Sequence, residues 1–134
     1  MLKKIDAWLC RWPVAGRWVP PLLWMALIFV VSAQPVLPHA PGVFVDTLLK
    51  KVAHVVEYAV LTVLWWRVWA ARRRSGAAIL VAGAVAVLYA ASDEFHQTFV
   101  PGRHGQVSDV LIDSIGCILA AVEVWHWERR QASS

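Results

Sequence analysis

The sequence predicts an all-α membrane protein: a compact bundle of four transmembrane helices with both termini cytoplasmic, preceded by a short amphipathic interfacial helix. Three observations predict it. Hydrophobic residues make up 59% of the 134-residue chain and charged residues only 16%, more apolar surface than a soluble domain of this size can bury. Four apolar runs, Trp18–Gln34, Leu48–Ala70, Ala77–Phe99 and Val107–Trp127, have about the length a bilayer core demands. The basic residues between them collect on one side. A very hydrophobic soluble helical protein also fits the composition, but the segment lengths disfavour it. The length is that of one domain, so residues 1–134 read as a single membrane unit.

Met1–Arg17 reads as a basic amphipathic leader. Leu2, Ile5, Leu9 and Trp12 fall near one helical face with Lys3, Lys4 and Arg11 elsewhere, a pattern that lies in a membrane interface, and Pro13 ends it. The first span, Trp18–Gln34, takes Pro20 and Pro21 in its first turn. Its core, Leu22–Val31, is short, so leader, core and Ser32-Ala33-Gln34 also fit a cleavable signal peptide. The long leader and the polar end groups favour a retained span. Pro35–Asp46, with Pro35, Pro38, Pro41 and Gly42, reads as an irregular loop in which Phe44 and Val45 dip into the interface.

The second span carries Lys50, Lys51, His54, Glu57 and Tyr58 at one end and Trp65, Trp66, Arg67 and Trp69 at the other. The third is apolar through Ala91 and then turns abruptly polar; Gly83 among its alanines predicts close helix packing. The fourth offers Ser108, Ser114, Gly116 and Ala120 as small packing residues, and a charged tail with Glu128, Arg129 and Arg130 closes the chain. Cys10 and Cys117 sit far apart in this order, so no disulfide is expected and both read as small apolar residues.

Orientation follows from the cations. The leader holds Lys3, Lys4, Arg11 and Arg17, the second connection Arg67 and Arg72–Arg74, and the tail Arg129 and Arg130, against Lys50, Lys51 and Arg103 on the alternate side. Ten against three places both termini in the cytoplasm. Trp18, Trp65, Trp66, Trp69, Trp125 and Trp127 mark the same interface. The net charge of +4 is thus a topology signal, and no basic face with interleaved aromatics is long enough to track a nucleic acid.

Chemistry concentrates in Ser92–Gly116. Asp93 and Gln97 share one helical face, and Asp109 and Asp113 share another, each pair being four residues apart. Between them lies the tight turn Val100-Pro101-Gly102-Arg103. In a bilayer both faces must turn inward, and His54-x-x-Glu57-Tyr58, predicted at the same outward depth, is the natural partner. Three chemistries fit. His54 with Glu57, Asp93, Glu94, Asp109 or Asp113 suits a divalent metal. A buried carboxyl with His54 suits acid–base work, with His54, Glu57, Asp93, Glu94 and Asp109 as the catalytic candidates. Arg103, Lys50, Lys51 and His54 suit a phosphate or carboxylate head group. The ligand-binding candidates are Lys51, His54, Tyr58, Asp93, Glu94, Gln97, Arg103, Asp109 and Asp113. The expected partners are membrane lipids or lipid-linked envelope intermediates. The sequence leaves the cofactor open.

Each residue also has a purely structural reading. Lys51 snorkels to the interface; His54 is an interhelical hydrogen bonder; Asp93 or Glu94 pairs with Arg103; Asp109 caps the fourth helix. His39, His96, His104 and His126 read as loop or interface residues, with His96 near enough to join the cluster. These roles account poorly for four carboxylates at one end with few cations beside them.

The motifs Ser32-x-Gln34, Lys51-x-x-His54-x-x-x-Tyr58, Asp93-Glu94-x-x-Gln97-x-Phe99-x-Pro101-Gly102-Arg103 and Asp109-x-x-x-Asp113-x-x-Gly116 resemble those of the VanZ-like membrane proteins, in the family's order. The Asp93–Arg103 block is the specific part. The resemblance implies a small, multi-spanning bacterial protein with a role at the outer face of the membrane in envelope biology. The family's namesake is linked to teicoplanin resistance, which ties the family to antibiotic or envelope stress without naming a reaction. Two positions depart from the pattern: Asp113 stands where the family often has Asn, and Ala120 where a second Gly is common. Three functions remain: a binding module for an envelope head group, a hydrolase or transferase on such a lipid, and a small transporter, which would need a homodimer to enclose a pore.

Overall fold

The computed structural model describes residues 15–35, 42–70 and 76–133. Most of the amphipathic leader, Cys10, the loop residues Pro38, His39 and Pro41, and the run Arg72–Arg74 lie outside the described residues. The architecture is all-helical, with four helices among the described residues: α1 (Ala15–Ser32), α2 (Val43–Ala70), α3 (Gly76–Gln97) and α4 (Val107–Ala132). Helices α1 and α3 are long and apolar enough to cross a membrane. The more highly charged α2 and α4 do not meet that measure.

The boundaries differ from the sequence expectation for local reasons. Helix α1 begins at Ala15 rather than Trp18, so Pro20 and Pro21 lie in its second turn and leave the carbonyls of Gly16 and Arg17 without their usual helical donors. Helix α2 starts at Val43, inside the stretch expected to be a loop. Gly42, at φ +88°, turns the chain, and its carbonyl accepts the Asp46 N–H at 3.1 Å to open the first turn. Asp46 favours that turn through the helix dipole and pairs with Lys50 one turn later at 2.6 Å. Phe44 and Val45 are accordingly helical and exposed. Helix α3 stops at Gln97, two residues early, because Thr98, Phe99 and Val100 bond back three residues instead of four. Helix α4 runs five residues past Trp127, with Arg129 and Arg130 in its last turn where cations suit the dipole.

Helix α2 packs against all three others, and the bundle alternates in direction. Trp24 Nε1 donates to the Glu57 carbonyl at 3.0 Å and Tyr89 Oη to the Met25 carbonyl at 2.7 Å, tying α1 to α2 and α3. The core comprises Ile28, Tyr58, Leu61, Trp65, Val68, Ala82, Ala86, Ala90 and Cys117. Ala82, Ala86 and Ala90 recur every fourth residue and are fully buried, so their stripe brings α3 onto α2. Gly83 plays no part in that approach, since a Cβ there would meet nothing within 4 Å. Of the small residues expected to pack α4, Gly116 and Ala120 are buried while Ser108 is exposed.

Helices α2 and α4 run parallel, and Gly116 sits directly against the Val55 backbone, where a Cβ would overlap the carbonyl oxygen. Trp18, Trp65, Trp66, Trp69 and Trp127 gather at the opposite end from Asp93, Glu94 and Asp113. Trp18 meets Trp65 and Trp69 edge-on at 5.7 and 6.0 Å, Trp66 meets Trp127 at 5.6 Å, and Trp66 Nε1 donates to Glu128 at 3.0 Å. Replacing Gly116 by Ala should therefore cost roughly 1–3 kcal/mol through forced backbone separation. Gly83→Ala should leave stability unchanged or raise it. Thermal melts of the two variants in detergent compare them directly.

Candidate functional site

The polar end of the bundle is built in two layers. The upper layer is an open basin of about 530 Å³ where α1, α2, α4 and the α3–α4 turn converge, lined among others by Lys50, Lys51, His54, Glu57, Arg103 and Asp109. Beneath it lie Asp93, Glu94 and Asp113, which are 3%, 4% and 0% exposed.

The turn that delivers Arg103 follows from its residues. Pro101 presets the first central position, Gly102 takes φ +79° at the second, and the Arg103 N–H closes the turn on the Val100 carbonyl at 3.1 Å. Gly105 then lies against the Glu94 carbonyl so closely that a Cβ would overlap it. That contact folds the connection back over the end of α3 and brings the Gln106 N–H to Glu94 Oε2 at 2.9 Å.

Two rungs join the parallel helices α2 and α4. Lys51 Nζ stands 3.6 Å from Asp109 Oδ1, and His54 Nδ1 stands 3.1 Å from Asp113 Oδ1. Helix α3 is joined to α1 by a separate network. The Ser32 hydroxyl donates to Asp93 Oδ2 at 2.7 Å, and Gln97 Nε2 lies 3.1 Å from Asp93 Oδ2, 3.3 Å from Glu94 Oε1 and 3.4 Å from Ser32 Oγ. An amide nitrogen carries two hydrogens, so Gln97 is asked for more bonds than it can donate. The buried oxygens Asp93 Oδ1, Asp113 Oδ2 and Tyr58 Oη have no hydrogen-bond partner among the described residues.

Of the residues expected from sequence to form the site, Lys51, His54, Glu57, Gln97, Arg103 and Asp109 line the basin. Asp93, Glu94, Asp113 and Tyr58 sit below it, Tyr58 fully buried. Three structural expectations are corrected. Arg103 forms no ion pair with Asp93 or Glu94 among the described residues, and its buried Nε has no partner; Glu94 is held by Gln97 and Gln106 instead. Asp109 does not cap α4, whose N-cap residue is Gln106. His96 turns away from the cluster and packs on Phe29 with ring centroids 4.4 Å apart. Sequence reasoning undervalued Ser32 and Gln106. Ser32 was legible as a hydroxyl ending an apolar face, but its pairing with Asp93 spans 61 residues. Gln106 contributes a backbone N–H that carries no side-chain signal.

Comparison with known families decides the affiliation. The VanZ/LLP1 family matches residues 17–127. The chain belongs to the VanZ/LLP1 family. No curated protein and no solved structure matches it. Together with the apolar α1 and α3, the match points to a membrane protein.

The shortage of donors around Gln97 makes a specific prediction. Gln97→Leu leaves Asp93 and Glu94 short of a partner and should cost about 1–3 kcal/mol. Gln97→Glu adds a further carboxylate beside two buried acids and should be more damaging still at neutral pH. Melting temperatures of both variants measure it.

Proposed function

We propose that this VanZ-family protein crosses a bacterial inner membrane four times, with both termini cytoplasmic, and holds the anionic head group of an envelope lipid or lipid-linked intermediate in its outward basin. The observation that carries the reading is Arg103. Arg103 lines the basin and forms no ion pair among the described residues, although Glu57 and Asp109 line the same basin. Arg presents a planar fork that matches phosphate or carboxylate, and a desolvated, uncommitted one favours an external anion. Lys51, 45% exposed at its side chain and only loosely engaged with Asp109, supplies a second charge. The conclusion of a role in envelope or antibiotic resistance rests on family membership alone.

The distribution of exposed residues supports four spans. The outward faces of α2 and α4 carry Leu48, Leu49, Val52 and Val56, and Leu111, Ile115, Ile118 and Leu119, each at least half exposed. At the polar end Asp46, His54, Glu57 and Asp109 line the basin and Asp113 is fully buried, while Glu123, near the other end of α4, is exposed. A bundle with apolar residues outside and carboxylates inside is matched to lipid rather than water. The positive-inside count orients the basin away from the cytoplasm.

A second reading, a hydrolase or transferase on such a lipid, draws on the His54–Asp113 pair, in which a buried carboxylate orients an imidazole facing the basin. It requires product formation by purified protein that Asp113→Asn abolishes.

Native mass spectrometry of detergent-extracted protein tests head-group binding. The wild type should retain an anionic lipid, Arg103→Ala should lose it by about tenfold or more, and Arg103→Lys should recover only part, because charge without the fork is insufficient. Undiminished retention in Arg103→Ala removes the proposal. For topology, a cysteine placed at His104 in a chain lacking Cys10 and Cys117 should react with a membrane-impermeant maleimide in intact cells whose outer membrane is permeable to it. A cysteine at Ser133 should react only after lysis.

A further inference from the structure

We infer that the chain carries a divalent-cation site at the floor of the basin, with His54, Glu94 and Asp113 as its protein ligands. One ligand atom from each lies within 4.8 Å of those from the other two. Ligands around an ion at about 2.1 Å stand about 3–4 Å apart, so small side-chain shifts close the sphere. The three side chains come from α2, α3 and α4, which makes the cluster a product of the tertiary fold and not of one helix.

A second observation points to a ligand. Asp113 is fully buried, spends Oδ1 on His54, and leaves Oδ2 without a hydrogen-bond partner among the described residues. A buried carboxylate oxygen lacking a donor is costly, and a cation satisfies it along with the neighbouring negative charge. The nearby donors leave it unmet: Gln97 is already shared among three acceptors, and the buried Tyr58 hydroxyl makes no hydrogen bond among the described residues. His54 lines the open basin, so an ion has an entry path, and its remaining coordination positions would face solvent or a bound ligand. One imidazole with two carboxylates suits Zn²⁺ or Mn²⁺ better than Ca²⁺ or Mg²⁺, which prefer oxygen alone. The site does not depend on head-group binding by Arg103, and either can fail without the other.

The test uses tag-free, full-length protein in detergent, stripped with chelator and titrated separately with MnCl₂, followed by electron paramagnetic resonance, and ZnCl₂, followed by calorimetry. At least one cation should bind at about one ion per chain. His54→Gln and Asp113→Asn should each weaken it roughly tenfold or more, while His126→Gln, an exposed histidine at the far end, should bind as the wild type does. If Mn²⁺ binds, its spin-echo modulation should show nitrogen coupling, lost in His54→Gln. Failure of folded wild-type protein to bind either ion stoichiometrically overturns the site. So does affinity unchanged in both variants, or bound Mn²⁺ without nitrogen coupling. If a variant does not fold, the wild-type stoichiometry and nitrogen coupling decide.

Discussion

Three carboxylates enclosed at one end of a helical bundle set the terms for everything around them. Asp93, Glu94 and Asp113 are each less than 5% exposed, and a buried charge must find a donor or a counter-charge. The surrounding architecture meets that demand in part. Ser32 ends α1 at the depth where Asp93 needs a hydroxyl, Gly105 lets the connection fold back so that a backbone N–H reaches Glu94, and His54 meets Asp113 across two parallel helices. The demand is not met in full: among the described residues Asp93 and Asp113 each keep one oxygen without a partner. A structure maintained only for stability would replace such a group with an apolar one. Retained under-satisfaction beside an open basin is the physical basis for assigning the cluster a ligand.

The geometry that allows this rests on small residues. Helices α2 and α4 approach at Gly116, where the Val55 carbonyl occupies the space of a side chain, and α3 closes on α2 through alanines every fourth residue. These approaches hold the helix faces bearing His54, Glu94 and Asp113 within reach of one another. At the far end the same helices are joined by aromatic rings and the Trp66–Glu128 hydrogen bond. The bundle thus has one polar end that opens into the basin and one end held by large aromatic side chains. That division suits a molecule whose ligand approaches from one side only.

Much of this was readable before any coordinates. The apolar runs marked all four helices, and the four-residue spacing of Asp93 with Gln97 and of Asp109 with Asp113 marked inward faces, because helical periodicity is local. The turn at Val100–Arg103 was legible for the same reason: Pro followed by Gly selects one backbone path. The ends of the helices were less so. Val43 starts α2 because Gly42 adopts a positive φ and Asp46 suits the first turn, a choice that a proline-rich stretch conceals. The expected Arg103 ion pair and the capping role of Asp109 were both reasonable from proximity in sequence. They failed because Ser32, Gln97 and the Gln106 N–H hold Asp93 and Glu94, and because Gln106 takes the N-cap position and leaves Asp109 inside the first turn of α4.

By itself, the sequence determined the helical class, the amphipathic inversion of the charged helices, the chemical inventory of the polar end and membership of the family whose motifs it carries. All of these follow from residue type and local spacing. Only the tertiary structure decided which acid each donor serves, that Ser32 belongs to the network and His96 does not, and that Arg103 is left uncommitted above a buried cluster. Those outcomes depend on contacts between residues 12 to 65 positions apart, where helix rotation and close approach, rather than local propensity, choose the partner.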